Sequence, residues 1–388
     1  MSQPAAIFDY ITTANGLRFG VATLNSPASL NSVSLDMVRL LTPQLRLWSD
    51  DPTIVGVLLQ AAGDKAFCAG GDLRRLYPNL IEPSPNRGQE AATFFAEEYE
   101  LDYLIHTFPK PILCWGHGIV MGGGVGLMMG ASHRVVTKQS VLAMPEIKIG
   151  LYPDVGGSWK LRRMPGHTGL FMALTAANLN AADAIYCGLA DVILPNERKA
   201  DVVESIRNQP WSGDAIANRA ALSRLLDSAQ TIGDFAVAGN ESKLKQHRGT
   251  IDALMDGEDL MAIASRLRAL QSDDPWLSEA AKNFVTGSPT TAALSFALWQ
   301  RVPGMSLADV FRLEYWASLG CCAHTDFAEG IRAMLIDKDR RPVWSPKTLE
   351  EVTSKHVEDH LRPRGEMPRG LASLGATIGS RATGATLS

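Results

Sequence analysis

The residues best suited to chemistry lie in one stretch, 114–159, which reads CWGHGIVMGGGVGLMMGASHRVVTKQSVLAMPEIKIGLYPDVGGSW. It holds two carboxylates, Glu146 and Asp154, each directly after a proline, and Gly156 and Gly157 close it. Ahead of them, Gly122, Gly123 and Gly124 follow an apolar run. Such glycines mark a strand-to-helix turn where a ligand can approach bare backbone. A helix starting there presents unpaired N–H groups and the positive end of its dipole, which suit a developing oxyanion as well as a phosphate. Donors followed by carboxylates are what acyl chemistry needs, so an enzyme is expected. Each part has a plainer reading: a glycine run can be a tight helix–strand contact, and the carboxylates can be surface groups. Their succession favours a site.

Bulk properties narrow the classes. The 388 residues are enough for one large domain or about two to three ordinary ones. With 46% hydrophobic and 20% charged residues the chain can bury a sizeable core. A net charge of −4 gives no basic excess to attract nucleic acid. Cys68, Cys114, Cys187, Cys321 and Cys322 make no CxxC pair and read as reduced thiols. Histidine, cysteine and aspartate do not fall at zinc spacings, so no metal site is expected. No apolar run reaches the length of a membrane span, and the first residues do not read as a signal or transit peptide. A cytoplasmic location is the expectation.

The elements that must position this chemistry alternate between strand and helix, which argues α/β. Asn15-Gly16 is a hairpin signal between strands over 6–13 and 17–24. Ser34 can cap a helix whose apolar face is Leu35, Val38, Leu41, Leu45 and Trp48. IVGVLLQ (54–60) suits a strand buried on both faces and runs into a glycine-containing loop over 61–72. A connection with two prolines spans 80–89, and 90–106 reads as a helix. Short strands follow over 111–115, 134–138 and 141–143. After about Asn196 helical patterns dominate, with Ser288-Pro289 as a helix start and helical patterns over 307–320 and 326–336. The division is therefore a core over 1–197, a helical region over 198–361, and a Gly/Ala/Ser/Thr-rich tail over 362–388 that reads as disordered. No repeat at a fixed period is visible.

KAFCAGGDL (65–73), GGGVGL (122–127) and MPEIKIGLYPDVGG (144–157) resemble the crotonase (enoyl-CoA hydratase/isomerase) superfamily. FFAEEYELDYLI (94–105), SPTTAALSFAL (288–298) and EGIRAMLIDKDRRPVWSP (329–346) narrow the resemblance to its 3-hydroxyisobutyryl-CoA hydrolase branch. It covers roughly residues 7–360. It implies a spiral of ββα units with a helical C-terminal region, an acyl-CoA substrate and no separate cofactor, coenzyme A being part of the substrate. A homo-oligomer is compatible with it.

The resemblance also implies roles. The backbone N–H groups of Gly71 and Gly123 form the oxyanion hole, where loss of one donor typically costs about 2.7–4 kcal/mol in the transition state. Hydratases of the superfamily carry a first glutamate at the position of Gly126 and a second at Glu146. The first is missing here, which disfavours hydration and is expected either to leave room beside Glu146 or to remove a competing base. The hydrolase branch pairs Glu146 with Asp154. In that reading Glu146 attacks the thioester carbonyl, giving a mixed anhydride, or activates water. Asp154 orients the substrate 3-hydroxyl or assists proton transfer. Substrate or CoA contacts are implied for Lys65, Ala66, Phe67, Ala69, Gly70, Asp72, Gly122, Glu98 and Lys338. The two lysines are candidates for the CoA phosphates. Glu97, Glu98 and Tyr99 either line the pocket or form a solvated helix face. His117 reads as a packing residue and Cys68 is not a credible nucleophile. Ser26 stands where the family usually has arginine, which removes a basic group near the CoA. The expected reaction is hydrolysis of a short branched 3-hydroxyacyl-CoA, most of all 3-hydroxyisobutyryl-CoA in valine breakdown. The rivals are an enoyl-CoA isomerase- or hydratase-type reaction using Glu146 alone, and a non-catalytic acyl-CoA-binding protein.

Overall fold

The computed structural model describes residues 3–230 and 241–376. Nine strands form two sheets. The larger runs in the order β1 (Ala6–Thr12), β2 (Arg18–Leu24), β3 (Ile54–Ala61), β5 (Ile112–Gly116), β7 (His133–Val136) and β9 (Val192–Ile193). The smaller is β4 (Ala66–Cys68), β6 (Ile119–Met121) and β8 (Val141–Ala143). Only the β1–β2 hairpin is antiparallel; every other pair is parallel. The chain thus lays one strand in the large sheet, the next in the small one, and then crosses by a helix. The crossings are α3 (Gln89–His106) between β4 and β5, and α4 (Gly123–Met129) between β6 and β7. This is the expected ββα spiral. No sequence period betrays it because its turns are unequal: β3, β5 and β7 begin at residues 54, 112 and 133.

Helix α1 (Leu35–Asp50) starts where Ser34 accepts a hydrogen bond from Met37 N at 3.2 Å, and it buries Met37, Val38, Leu41, Leu45 and Trp48. Strand β3 is buried on both faces, as its continuous apolar run requires. Alternation along the sheet feeds two cores. Val57, Leu59, Ile112 and Cys114 join the main one. Leu58, Leu113 and Trp115 join a second, closed by Ile206, Trp211 and Leu222. Residues 198–361, read as one helical region, therefore divide in their packing. The Lys199–Asn208 and Ala215–Ala229 helices cover the back of the large sheet. The Leu307–Ala323 helix packs on α3 instead.

Three differences from the sequence reading stand out. Helix α2 (Leu73–Ile81) was not anticipated, and β4 arises inside the stretch read as a loop. Residues 362–376 are not a disordered tail: Leu371 is fully buried and Arg312 donates to its carbonyl at 3.0 Å. The remainder of that tail, 377–388, lies outside the described residues. Among the described residues no helix is long and apolar enough to cross a membrane.

Candidate active site

Two glycine turns meet at the centre of the site. Gly70 has φ +105° and Gly122 has φ +50°, conformations that side chains resist. A Cβ on Gly122 would lie 3.6 Å from the Cα of Gly70. Beside Gly71, Val33 pins the loop twice: its N–H donates to Gly70 O and its carbonyl accepts from Asp72 N, both at 2.8 Å. The bridge leaves the N–H of Gly71 without an acceptor among the described residues. Gly123 opens α4, so its N–H belongs to the unpaired first turn. The Gly71 nitrogen lies 3.5 Å from where a Cβ on Gly123 would stand. The two expected donors are therefore free neighbours.

Glu146 opens a 3₁₀ turn, Glu146–Ile149, directly after Pro145. Its Oε1 lies 2.9 Å from the place of a Gly122 Cβ, so only glycine leaves that carboxylate its position. Its Oε2 is buried with no partner among the described residues. Burial, and then the charge of Asp154, hold its carboxyl well above the usual range.

Asp154 is held by one direct hydrogen bond and by a network behind it. The Tyr99 hydroxyl on α3 donates to its Oδ2 at 2.6 Å, and that hydroxyl lies 2.6 Å from Ser318 Oγ. Tyr152 also bonds Ser318, at 2.9 Å, and donates to the carbonyl of Glu314. The Glu314 carboxylate then grips the turn after Asp154, accepting from Gly156 N at 2.7 Å and Ser158 N at 3.0 Å. That turn needs gripping, because Val155 sits at φ +54°. A β-branched residue in the left-handed region is a strained outlier of the kind that clusters at functional sites. Burial pushes the Asp154 carboxyl up to about 6, with the Tyr99 hydrogen bond opposing it, and pushes Glu314 up to about 8.

Helix α3 adds two more buried carboxyls, Glu98 and Asp102, one turn apart. Of the three candidates there, Glu97 is the solvated one and pairs with Arg39 at 2.7 Å, whereas Glu98 and Tyr99 point inward. Glu98 Oε1 lies 2.7 Å from the place of a Gly123 Cβ. Burial raises Glu98 first, followed by the charges of Asp102, Asp154 and Glu146. Asp102 is raised by burial and then by Asp154 and Glu314, and both its oxygens lack partners among the described residues. The site thus gathers five buried carboxyls that cannot all ionise together.

The expected free space at Gly126 is corrected. A Cβ there would stand 2.7 Å from Val155 Cβ and 3.3 Å from Asp102 Oδ1. The room that a hydratase glutamate would use is filled by the strained turn and by α3. Asp102, Tyr152, Glu314 and Ser318 were missed. The available signal was an acidic residue inside an apolar helical run, as in FFAEEYELDYLI for Asp102 and VFRLEYWASLG for Glu314.

Other expected contacts are more scattered. Ala66 and Phe67 lie in β4 with buried side chains, Phe67 in the main core, and the Ala66 carbonyl and Phe67 N–H are engaged by Asn31 and His117. Ala69 N donates to Leu30 O, and Asp72 pairs with Arg75 at 3.1 Å. Lys65 and Lys338 are exposed; Lys338 lies between Asp337 and Asp339, which both hold Arg332. All five cysteines are buried and unpaired, and burial pushes the Cys68 thiol up to about 12, far from a nucleophile. His117 bonds the Gly63 carbonyl at 2.8 Å, a packing role. The spacing argument against a metal-ligand cluster is corrected: His324, His356 and His360 come together, with His356 beside Thr290 of the 288–298 stretch.

A cleft of about 400 Å³ is lined by Ser34, Arg39, Asp72, Leu76 and Phe94, and the Phe94 ring borders Gly71, 3.3 Å from the place of its Cβ. It shares Ser34, Arg39, Asp72 and Arg75 with a neighbouring cleft of about 600 Å³ that Ser26 also lines.

Known proteins agree with this geometry. The enoyl-CoA hydratase/isomerase family profile matches residues 19–361. The mitochondrial 3-hydroxyisobutyryl-CoA hydrolase of Xenopus tropicalis is 36% identical over 89% of this chain and 87% of its own length. The human enzyme of that name is 35% identical over 89% and 86%. Among solved structures, a carnitinyl-CoA dehydratase from Mycobacterium thermoresistibile superposes with TM-score 0.80 at 33% identity, covering 93% of this chain and 97% of that one. An enoyl-CoA hydratase from Rhodobacter sphaeroides gives 0.77 at 34%, over 92% and 97%. A match of this extent, on a ββα spiral with its glycine turns and carboxylates in place, means that the chain belongs to the crotonase (enoyl-CoA hydratase/isomerase) superfamily, in its 3-hydroxyisobutyryl-CoA hydrolase branch.

Proposed function

We propose that the protein hydrolyses 3-hydroxyisobutyryl-CoA to 3-hydroxyisobutyrate and CoA. The observation that carries this reading is the unpartnered Glu146 Oε2 in a pocket with two free main-chain donors, Gly71 and Gly123. The thioester oxygen accepts from both N–H groups, which stabilise the negative charge that forms as the carbonyl is attacked. In one route a Glu146 carboxylate oxygen bonds to the carbonyl carbon. The tetrahedral intermediate collapses, the C–S bond breaks, CoA leaves as thiolate, and water cleaves the resulting anhydride. In the other, Glu146 takes a proton from water, which attacks directly. Both routes need Glu146 ionised, so the proton that the crowded carboxyls must share rests on a neighbour when the reaction starts. Asp154, fixed by Tyr99, is the acceptor for the substrate 3-hydroxyl.

The curated relatives support this choice by their names. The solved relatives, named as a dehydratase and a hydratase, keep a hydration reading in view. Against it, position 126 has neither a carboxylate nor space for one. The pathway is valine breakdown in this reading. A cytoplasmic location belongs to the proposal too, beside relatives named mitochondrial, and cell fractionation tests it. The deciding experiment supplies 3-hydroxyisobutyryl-CoA and crotonyl-CoA side by side and follows free thiol with DTNB together with enoyl absorbance. Thiol release from the first is expected. Loss of enoyl absorbance without thiol release from either substrate would replace hydrolysis with hydration, and inertness toward both would favour a binding protein.

A further inference from the structure

We propose that His324, His356 and His360 bind one divalent late-transition-metal ion, of the Zn²⁺ class, that ties the Ser354–Leu361 helix to the Leu307–Ala323 helix supporting the candidate active site. His356 and His360 lie four residues apart on the Ser354–Leu361 helix, so they share a face. His324 stands at the end of the Leu307–Ala323 helix. These two helices pack closely: a Cβ on Gly320 would collide with the His360 backbone. One ring nitrogen from each histidine lies within 4.8 Å of the others. Two ligands on a tetrahedral ion with bonds of about 2.1 Å stand roughly 3.4 Å apart. The His324 and His360 rings stack at 4.0 Å between centroids and 15° between planes, so one of them turns for all three nitrogens to face one ion, and a water can take the fourth position.

The hydrogen bonds around the rings argue for ligands rather than for packing. His324 Nε2–H donates to Asp359 Oδ2 at 2.8 Å, which leaves Nδ1 as the lone-pair nitrogen. His360 Nδ1–H donates to the carbonyl of His356 at 2.8 Å, which leaves Nε2. His356 Nε2 meets Thr290 Oγ1 at 3.2 Å, which leaves Nδ1. Each imidazole thus has one nitrogen held by an outer partner, as metal-binding histidines almost always do. Three nitrogens and no sulfur suit Zn²⁺, Co²⁺, Ni²⁺ or Cu²⁺ rather than Mg²⁺ or Ca²⁺. The nearby Arg364 is paired with Asp359 at 2.8 Å, which offsets its charge. His324 and His356 are half-exposed and offer a way in, while His360 is buried. The reading is independent of the proposed reaction.

The test uses tag-free, chelator-treated protein titrated with Co²⁺ and then Zn²⁺. One equivalent of Co²⁺ is expected to give visible d–d absorption that Zn²⁺ removes. Saturating Zn²⁺ should raise the melting temperature by at least about 3 °C. His356→Ala and His324→Ala should each abolish both signals. X-ray absorption of the Zn²⁺-loaded wild-type protein, which needs no variant, should show nitrogen and oxygen neighbours only. Absence of stoichiometric binding, or no change in melting temperature, would overturn the proposal. So would sulfur in the shell, or binding that survives both substitutions.

Discussion

Asp154→Asn should make the protein more stable while ruining it as a hydrolase. Burial moves the Asp154 carboxyl from its ordinary 3.8 to about 6. A carboxyl with a raised folded-state pKa destabilises the fold wherever it is ionised. That cost is complete above about pH 6, falls as the pH drops through the folded value, and is gone near the unfolded value. At about 1.4 kcal/mol for each pH unit, a rise from 3.8 to about 6 is worth about 3 kcal/mol at pH 8. Asparagine avoids the cost and still offers an oxygen to the Tyr99 hydroxyl. It also removes the charge that helps to raise Glu146, Glu98, Asp102 and Glu314. Urea and thermal melts of wild type and variant at pH 8, 5 and 4 check this. The variant should lead by about 3 kcal/mol at pH 8, by about half of that at pH 5, and by little at pH 4. Thioesterase activity at pH 8 should fall at least about tenfold, and more for a 3-hydroxyacyl-CoA than for an acyl-CoA lacking the hydroxyl. A variant less stable than wild type at pH 8, or a stability difference that ignores pH, would show that Asp154 is not a charge confined by burial.

Tyr99→Phe removes the hydrogen bond that holds the Asp154 carboxyl down, so the acidic limb of the kcat/KM profile should move to higher pH; an unmoved limb would mean that Asp154 ionisation does not govern turnover. Glu146→Gln should lower thiol release at least about a hundredfold with CoA binding by calorimetry little changed, and near-normal turnover would remove Glu146 from the mechanism. Gly126→Ala should cost about 1–3 kcal/mol in denaturation midpoints by overpacking against Val155, and Gly126→Glu should lose hydrolysis without gaining hydration of crotonyl-CoA. Wild-type stability and activity in both would mean that Val155 yields easily.

The parts read correctly from sequence are those in which local chemistry decides. The Ser34 cap, the Asn15-Gly16 turn and the twice-buried β3 follow from neighbouring residues alone. The glycine turns were legible because φ values such as +105° at Gly70 leave few alternatives to glycine. What escaped was set by distant packing. Glu314 looks like one more surface glutamate in a helical run, and only the fold shows it 158 residues from the turn it grips. Asp102 escaped for the same reason, since helical spacing alone cannot tell an inward acid from an outward one. The Gly126 expectation failed in the opposite direction. A missing side chain was taken as free space, but close packing lets a neighbour fill it, here Val155. The His356-x-x-x-His360 spacing was visible, yet its third member comes from another helix.

The same long-range contacts explain why the helical region belongs to the active site rather than beside it. A spiral ending at residue 197 would contain Glu146, Asp154 and the free N–H groups of Gly71 and Gly123. It would lack Glu314 and Ser318, and with them the acceptors for Gly156 N and Ser158 N and the shared partner of Tyr99 and Tyr152. Val155 would then have no reason to stay at φ +54°, a conformation that persists only where its surroundings over-determine it. Once that turn relaxed, Asp154 would lose its fixed direction, and the space at Gly126 would open toward water. Water at that point would solvate the buried carboxyls and weaken the burial and mutual repulsion that raise them. The helix at Leu307–Ala323 therefore acts on the chemistry by keeping one strained turn closed.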